Sequence, residues 1–528
     1  MWAALVTALA GCETPSSAEA DHALSRTPQT NPHALKERSQ GAVPHAPAAR
    51  DRVEELLRSR YAERLPGLLS ALVVHRTYVD EQDPAHEPRE RAAFFRALQA
   101  QAAALGLVFR EATPRVAEIT LDSEPPGAPR ELGILAHGDV VPAGDGWTFP
   151  AFSGEVRDGK VLGRGTMDDK GPLVAALVAM AVTRDAGAAR PFRTRLMVGM
   201  AEETTWECME GYLASHAPPA FTFVIDGSFP VGVGEKGLAS IKVAERWAER
   251  EPAAGRCAVV RLDGGVAGNV VPDRAEAELR CAGAADAVRA RLADERRVQV
   301  EAAGAGRLRV RATGKAAHAS TPEQGRNALA ALMVALDTHA QLDEDAPGTQ
   351  LVRFLAARVG MELYGEKLGI ASEHARFGRT TVNLGRLRHD GAVLVASLNI
   401  RFVPGRTPVE VVERVRAAAA SWAAERGRPL GLVVDGGGLP ALDQDPARPE
   451  VTALLSAYTA ATGRPARPVT LAGTTYAKAI PNAVSFGPEE DGAAERRHGP
   501  DESITTAELF ELARIYAAGL TALAALKP

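Results

Sequence analysis

Between residues 132 and 226 the chain repeats one unit: a short apolar run that stops at a histidine or an acid, then a helical stretch. Residues 132–136 lead into His137-Gly138-Asp139, residues 195–200 into Glu202-Glu203, and residues 221–225 into Asp226. Residues 172–182, between the first two runs, are apolar nearly all round, as a helix buried against a sheet should be; residues 206–214 predict a second helix. Strands alternating with helices predict an α/β fold whose sheet is at least partly parallel and covered on both faces. Open sheets of this kind carry their sites beyond the carboxyl ends of the strands. His137 with Asp139, Asp168, Glu202-Glu203, Asp226 and His498 are placed there by the pattern.

A chain of 528 residues needs more than one core. Aromatics are 5% of it, so those cores are built largely from Ala, Val and Leu. From about residue 238 the period changes to two: residues 241–244, 275–279 and 308–312 alternate as strands do. Helices near 327–339 and 409–424 interleave with a hairpin over 380–402 that turns at His389-Asp390-Gly391. An inserted α+β domain is the expectation, with Gly436-Gly437-Gly438 as the hinge that returns the chain to the first domain. The predicted order is a first catalytic part over 49–236, a lid over 237–437 and a second catalytic part over 438–528.

The amino-terminal apolar run ends in Leu9-Ala10-Gly11-Cys12, which resembles a bacterial lipobox, and no Lys or Arg precedes it. Residues 1–12 are read as a lipoprotein signal and residues 13–48, rich in Ser, Thr, Pro and Ala, as a flexible tether. That reading places the protein on a bacterial membrane facing the periplasm or exterior, anchored only through Cys12; an accidental lipobox would leave it cytoplasmic. The four cysteines are too few for a disulfide framework, and Cys208, Cys257 and Cys281 are expected to be buried, unreactive thiols. A net charge of −5 argues against a nucleic-acid partner. No run of 18 apolar residues predicts a membrane span.

Taken one at a time the acids and histidines have structural explanations, such as a tight turn at His137-Gly138-Asp139 or a helix cap at Asp168-Asp169. Together they form a set. Two His, two Asp and one Glu suit a pair of divalent cations, with zinc, manganese or cobalt all compatible. One of Glu202 and Glu203 is then left over as a base beside a metal-bound water, the arrangement hydrolysis needs. Gly232-Val233-Gly234-Glu235-Lys236-Gly237 matches a dinucleotide fingerprint, but a strand-like stretch follows where a helix is required. No G-x-S-x-G elbow is present.

The stretches AHGDVVPAGDGWTFPAF (136–152), GRGTMDDKGP (163–172), AEETTWECME (201–210), IDGSFPVGVGEKG (225–237) and HGPDES (498–503) resemble the di-metal peptidase family of acetylornithine deacetylases, succinyl-diaminopimelate desuccinylases and carnosinase-type dipeptidases. The likeness runs from residue 50 to the end and is greatest to the bacterial dipeptidase branch. It implies a zinc-peptidase-like catalytic domain, with a mixed, largely parallel sheet, interrupted by an α+β lid. It further implies two divalent ions, zinc first among candidates: His137 and Asp226 on one, Glu203 and His498 on the other, Asp168 bridging. Glu202 becomes the general acid/base and Asp139 the residue that orients His137. HGPDE stands where members often have Asn-Glu, so no role follows for Asp501. In the lid, GNVVPD (268–273), GKAAHASTPEQGRNAL (314–329) and LNIRFVPG (398–405) imply that Asn269 and Arg401 bind the substrate carboxylate and that His318 stabilises the oxyanion. AGTTYAKAIPN (472–482) resembles the substrate-binding loop, which nominates Thr475 and Tyr476.

The expected activity is hydrolysis of the peptide bond of dipeptides or very short peptides, by a monomer or homodimer. An N-acyl-amino-acid deacylase uses the same machinery, and a non-catalytic solute-binding lipoprotein is the distant alternative.

Overall fold

The computed structural model describes residues 47–127, 130–471, 473–490 and 497–526. Cys12 and the tether up to residue 46 lie outside the described residues. Among the described residues, nine strands form a mixed sheet. Its order is Val108–Thr113, Val116–Leu121, Arg193–Gly199, Glu131–His137, Phe221–Val224, Ala483–Ser485, Val231–Glu235 and Leu442–Asp443, with Pro468–Leu471 also against Val231–Glu235. The centre is parallel, from Arg193–Gly199 through Glu131–His137 and Phe221–Val224 to Ala483–Ser485. A hairpin adds the first two strands antiparallel. Parallel central strands must be covered on both faces, and Phe221–Val224 is accordingly buried along its whole length.

One cover is the helix Lys170–Asp185, buried from Lys170 through Thr183. Its sides meet Leu65–Val73 and the carboxyl-terminal helix Thr506–Ala524. Ala175, Ala176, Ala179 and Ala181 leave no bulk between the backbones, which explains why an alanine-rich chain closes this core. Thr506–Ala524 starts with a reciprocal cap, in which Thr505 accepts from the Glu508 amide and Glu508 accepts from the Thr505 amide.

The second sheet has eight antiparallel strands among the described residues. Their order is Val298–Ala302, Arg307–Thr313, Arg274–Cys281, Cys257–Gly264, Thr381–Asp390, Val393–Phe402, Gly237–Arg246 and Leu432–Leu439. Ala328–His339 and Pro408–Glu425 pack on it and bury Leu329, Leu332, Leu336, Val411 and Val415 in a core of its own. The predicted hairpin is Thr381–Asp390 with Val393–Phe402, and Gly391 takes φ +58° at its turn.

Two expectations need correction. Gly436-Gly437-Gly438 is not a hinge: it continues the strand Leu432–Leu439, paired with Gly237–Arg246. A Cβ on Gly438 would lie 1.8 Å from the Leu238 carbonyl oxygen and one on Gly436 2.5 Å from that of Ser240, so these two glycines allow close strand approach. The next strand, Leu442–Asp443, pairs in the first sheet, which puts the return at residues 440–441. The second correction concerns Cys257 and Cys281. They face each other on adjacent antiparallel strands and form a disulfide, while Cys208 is a buried free thiol. No helix among the described residues is long and apolar enough to cross a membrane.

Candidate active site

Three central strands end at His137, just before Glu202-Glu203 and just before Asp226. Asp168 comes instead from the turn before the helix Lys170–Asp185 and His498 from the turn before Ser503–Thr505, so the expectation that all five follow strands holds for three of them. His137 is the last residue of Glu131–His137 and is fully buried. Its Nδ1–H donates to the main-chain carbonyl of Asp139 at 2.9 Å, which turns Nε2 towards Asp168 Oδ1 at 2.9 Å and Asp226 Oδ2 at 4.0 Å. Asp168 Oδ2 lies 3.0 Å from His498 Nε2, and His498 Nε2 is also 3.0 Å from Glu203 Oε1. Asp168 thus divides its two oxygens between the two histidines. The donor atoms of His137, Asp168 and Glu203 lie within 4.8 Å of one another, as do those of His137, Glu202 and Asp226.

The electrostatics of this set call for added positive charge. Burial pushes the Asp226 carboxyl up to about 6, with Asp168 adding to the shift. Lost hydration, then Asp226, pushes Glu202 well above the usual carboxylate range. Two hydrogen-bonding carboxylates, Asp168 and Glu203, lift His498 to about 10. Burial opposes the charged form of His137, yet Asp139 and Asp168 outweigh it and hold that form. Four carboxylates, Asp168, Glu202, Glu203 and Asp226, crowd two imidazoles whose charge cannot balance them, and divalent cations between them would remove that repulsion. The donor set therefore fits a pair of such ions.

Three neighbours fix the ligands. The Asp139 carboxylate accepts the amide of Glu202 at 3.1 Å and that of Glu203 at 3.0 Å, so it shapes the turn that carries both acids. This differs from the expected role, because His137 is oriented by the Asp139 carbonyl; the side-chain oxygen, at 3.6 Å from Nδ1, is beyond hydrogen-bond reach. Asp169 is buried and accepts the His137 amide at 3.1 Å. Glu502 accepts the amides of Gly165, Met167 and Asp168 and pairs with Arg164 at 2.6 Å. It binds the loop of Asp168 to the segment that carries His498. Sequence reasoning passed over Glu502, whose only signal was an acid within an otherwise matching HGPDES motif. Asp501 accepts the Thr148 amide at 2.8 Å and so anchors the Asp-Gly-Trp-Thr-Phe-Pro segment.

The lid residues fall into two groups. Asn269 and His318 are exposed and adjacent: the Ala319 amide donates to the Asn269 carbonyl at 2.8 Å, and Val270 bridges to His318. Neither belongs to the donor groups gathered around His137. Arg401 is buried on Val393–Phe402 and reaches into the other half of the protein. Its Nε donates to Asn399 at 3.1 Å and its Nη1 to Thr474 Oγ1 at 2.9 Å. Lys478 Nζ donates to the same hydroxyl at 3.0 Å and faces Glu235 at 3.7 Å. Burial lowers Arg401 to about 10 and Lys478 to about 8, with Glu235 opposing both shifts.

Thr475 and Tyr476 do not present their side chains to substrate. The Thr475 hydroxyl donates to Glu235 at 2.6 Å, and Tyr476 is fully buried, with its hydroxyl 2.9 Å from Cys208 Sγ and its ring edge-on to His137. Both hold the loop. Thr474 was missed and has the better chemistry: its oxygen accepts from two cations, which leaves its own O–H to donate. Two adjacent threonines gave no signal to choose between them.

A mixed sheet with a histidine and carboxylates at its strand ends, an aspartate shared between two histidines and two adjacent glutamates form a donor set that fits a metal-dependent hydrolase. The family model "Peptidase family M20/M25/M40" matches residues 133–522, well over half of the chain, and the protein belongs to that family. It is a metallopeptidase-family hydrolase, and the family uses divalent metals. It is 30% identical over 403 residues to "Putative dipeptidase YtjP" of Bacillus subtilis, covering 74% of this chain and 83% of the relative. It is 29% identical over 390 residues to "Putative dipeptidase SH1171" of Staphylococcus haemolyticus, covering 73% and 81%. Among solved structures it shares the fold of human carnosine dipeptidase 1, with a TM-score of 0.53 at 16% identity over 90% of this chain and 99% of that one. It also shares that of the Saccharomyces cerevisiae dipeptidase Dug1p, with a TM-score of 0.52 at 15% identity over 91% and 99%.

Proposed function

We propose that the protein is a di-metal dipeptidase that hydrolyses the peptide bond of dipeptides or very short peptides. The observation that carries this reading is the division of Asp168 between His137 and His498, with Glu202 beside it. His137 and Asp226 would hold one ion, Glu203 and His498 the other, and Asp168 would bridge them; zinc is the first candidate, manganese and cobalt the alternatives. The chemistry such cations would supply there is activation of a water and polarisation of the scissile carbonyl. Glu202 accepts the proton from the water and delivers it to the leaving amine, a task suited to a carboxyl that burial raises well above the usual carboxylate range. His318 donates from the lid to the carbonyl oxygen as charge develops. Arg401 and the Thr474 hydroxyl grip the substrate's carboxylate, with Asn269 completing that end, so binding energy remote from the bond aligns the carbonyl.

The test is turnover of a panel of free dipeptides, C-amidated dipeptides, and acetylated and succinylated amino acids. Free dipeptides should be cleaved and amidated ones poorly. Preference for acylated amino acids would replace the reading with a deacylase, and equal turnover of free and amidated dipeptides would remove the carboxylate clamp.

We further infer that Cys12 is lipidated and the domains face the periplasm or exterior. The Cys257–Cys281 bond supports this, because such bonds persist in oxidising compartments. Cys12→Ala should release the protein from the membrane fraction of the native host; unmodified wild-type chain recovered from the cytosol would refute the anchor. Sedimentation decides between monomer and homodimer.

A further inference from the structure

Beside the carboxylate clamp lies a cavity of about 340 Å³ whose walls include Lys236, Ser320, Glu323, Arg376, Arg379 and Thr381. Its position follows from the neighbours of those walls. Ser320 Oγ lies 2.6 Å from His318 Nδ1. Thr381 is the cross-strand partner of Arg401. The Lys236 carbonyl accepts from Lys478, which shares the Thr474 hydroxyl with Arg401. The cavity is therefore lined by neighbours of both the lid histidine and the lid arginine, within reach of the side chain of the substrate's carboxylate-bearing residue.

Its lining has three cations and one acid. Arg376 is paired with Asp443 and bonded to the Gln444 carbonyl, and Arg379 is paired with Glu366, so both arginines already hold carboxylates outside the lining. Lys236 differs. It is 9% exposed, its Nζ donates to the Arg379 carbonyl at 2.6 Å, and among the described residues no carboxylate lies within ion-pair distance. A buried ammonium with one carbonyl partner has two more protons to donate. Glu323, on the short turn Pro322–Gln324 after His318, is exposed and acts on Lys236 only through space.

We propose that this cavity is the side-chain subsite for the substrate's carboxyl-terminal residue and that Lys236 selects an acidic side chain there. The inference rests on the dipeptidase reading for its substrate, but the pocket would receive the same residue from an N-acyl amino acid.

The test compares kcat/KM for Ala-Glu and Ala-Gln, which differ only in side-chain charge, with N-acetyl-Glu and N-acetyl-Gln as a parallel pair. The acid should be preferred by about tenfold or more, mainly through KM. The ratio within one enzyme form is the readout, so a general loss of activity does not affect it. Lys236→Gln should bring the ratio close to one, Lys236→Arg should keep it, and Glu323→Gln should widen it by removing a like charge. A wild-type ratio near one, or a ratio unchanged in Lys236→Gln, overturns the proposal. Selectivity within the acetylated pair without dipeptide turnover supports the pocket and refutes the dipeptidase reading instead.

Discussion

Asp139→Asn changes one atom in the support of the site and leaves every proposed ligand in place. Both oxygens of the buried Asp139 accept main-chain amides, from Glu202 and Glu203 in a half-buried turn. Asparagine keeps one acceptor and sets an NH₂ against the other amide. A hydrogen bond to a charged group is worth about 1.5–3 kcal/mol, and the orphaned amide adds its own desolvation. At 1.4 kcal/mol per factor of ten, a loss of about 2 kcal/mol is roughly 30-fold in an equilibrium, within the 10–100-fold effect usual for residues that support metal ligands. The loss should divide between metal affinity, through Glu203, and kcat at saturating metal, through Glu202. Competitive chelator titration reads the first and turnover of a dipeptide under excess metal reads the second. If both stay within about twofold of wild type, the turn is not held by Asp139 and the account of its role is wrong.

Glu202→Gln should retain bound metal while losing on the order of 10²–10⁴ in kcat, and Glu203→Gln should instead reduce metal content by elemental analysis. Replacing both Cys257 and Cys281 with Ala opens a loop of sequence separation 24, worth about 3.5 kcal/mol on the loop-entropy relation, so thermal unfolding should start earlier; an unchanged transition would mean that the bond is dispensable. Raising the pH through about 8 neutralises Lys478 beside Thr474, so KM for free dipeptides should climb, and Lys478→Arg should move that limb upward; a flat KM from pH 7 to about 9.5 would contradict it. In the same range Lys478 favours folding as pH rises, because the unfolded chain still binds the proton that the folded chain has released.

The parallel centre and the residues at its ends were legible because each strand stops at a polar residue with one chemical use. His137, Asp226 and Glu202-Glu203 follow apolar runs too short for a helix, and the buried helix Lys170–Asp185 announces the sheet it covers. Residues whose role depends on pairing across the chain stayed hidden. Cys257 and Cys281 meet only through the register of two strands, which no local pattern specifies. The glycine triplet looked like a hinge because close strand approach and flexibility call for the same residue. Thr474 and Glu502 owe their roles to the cations and amides that converge on them, and those partners come from distant segments.

The central claim, that Asp168 bridges two ions with different partners, is tested most directly by anomalous scattering from crystals loaded with zinc or manganese. The account predicts two peaks about 3.5–4 Å apart, one beside His137 and Asp226 and the other beside Glu203 and His498, with Asp168 between them. A single peak, or a pair that does not flank Asp168, would contradict it.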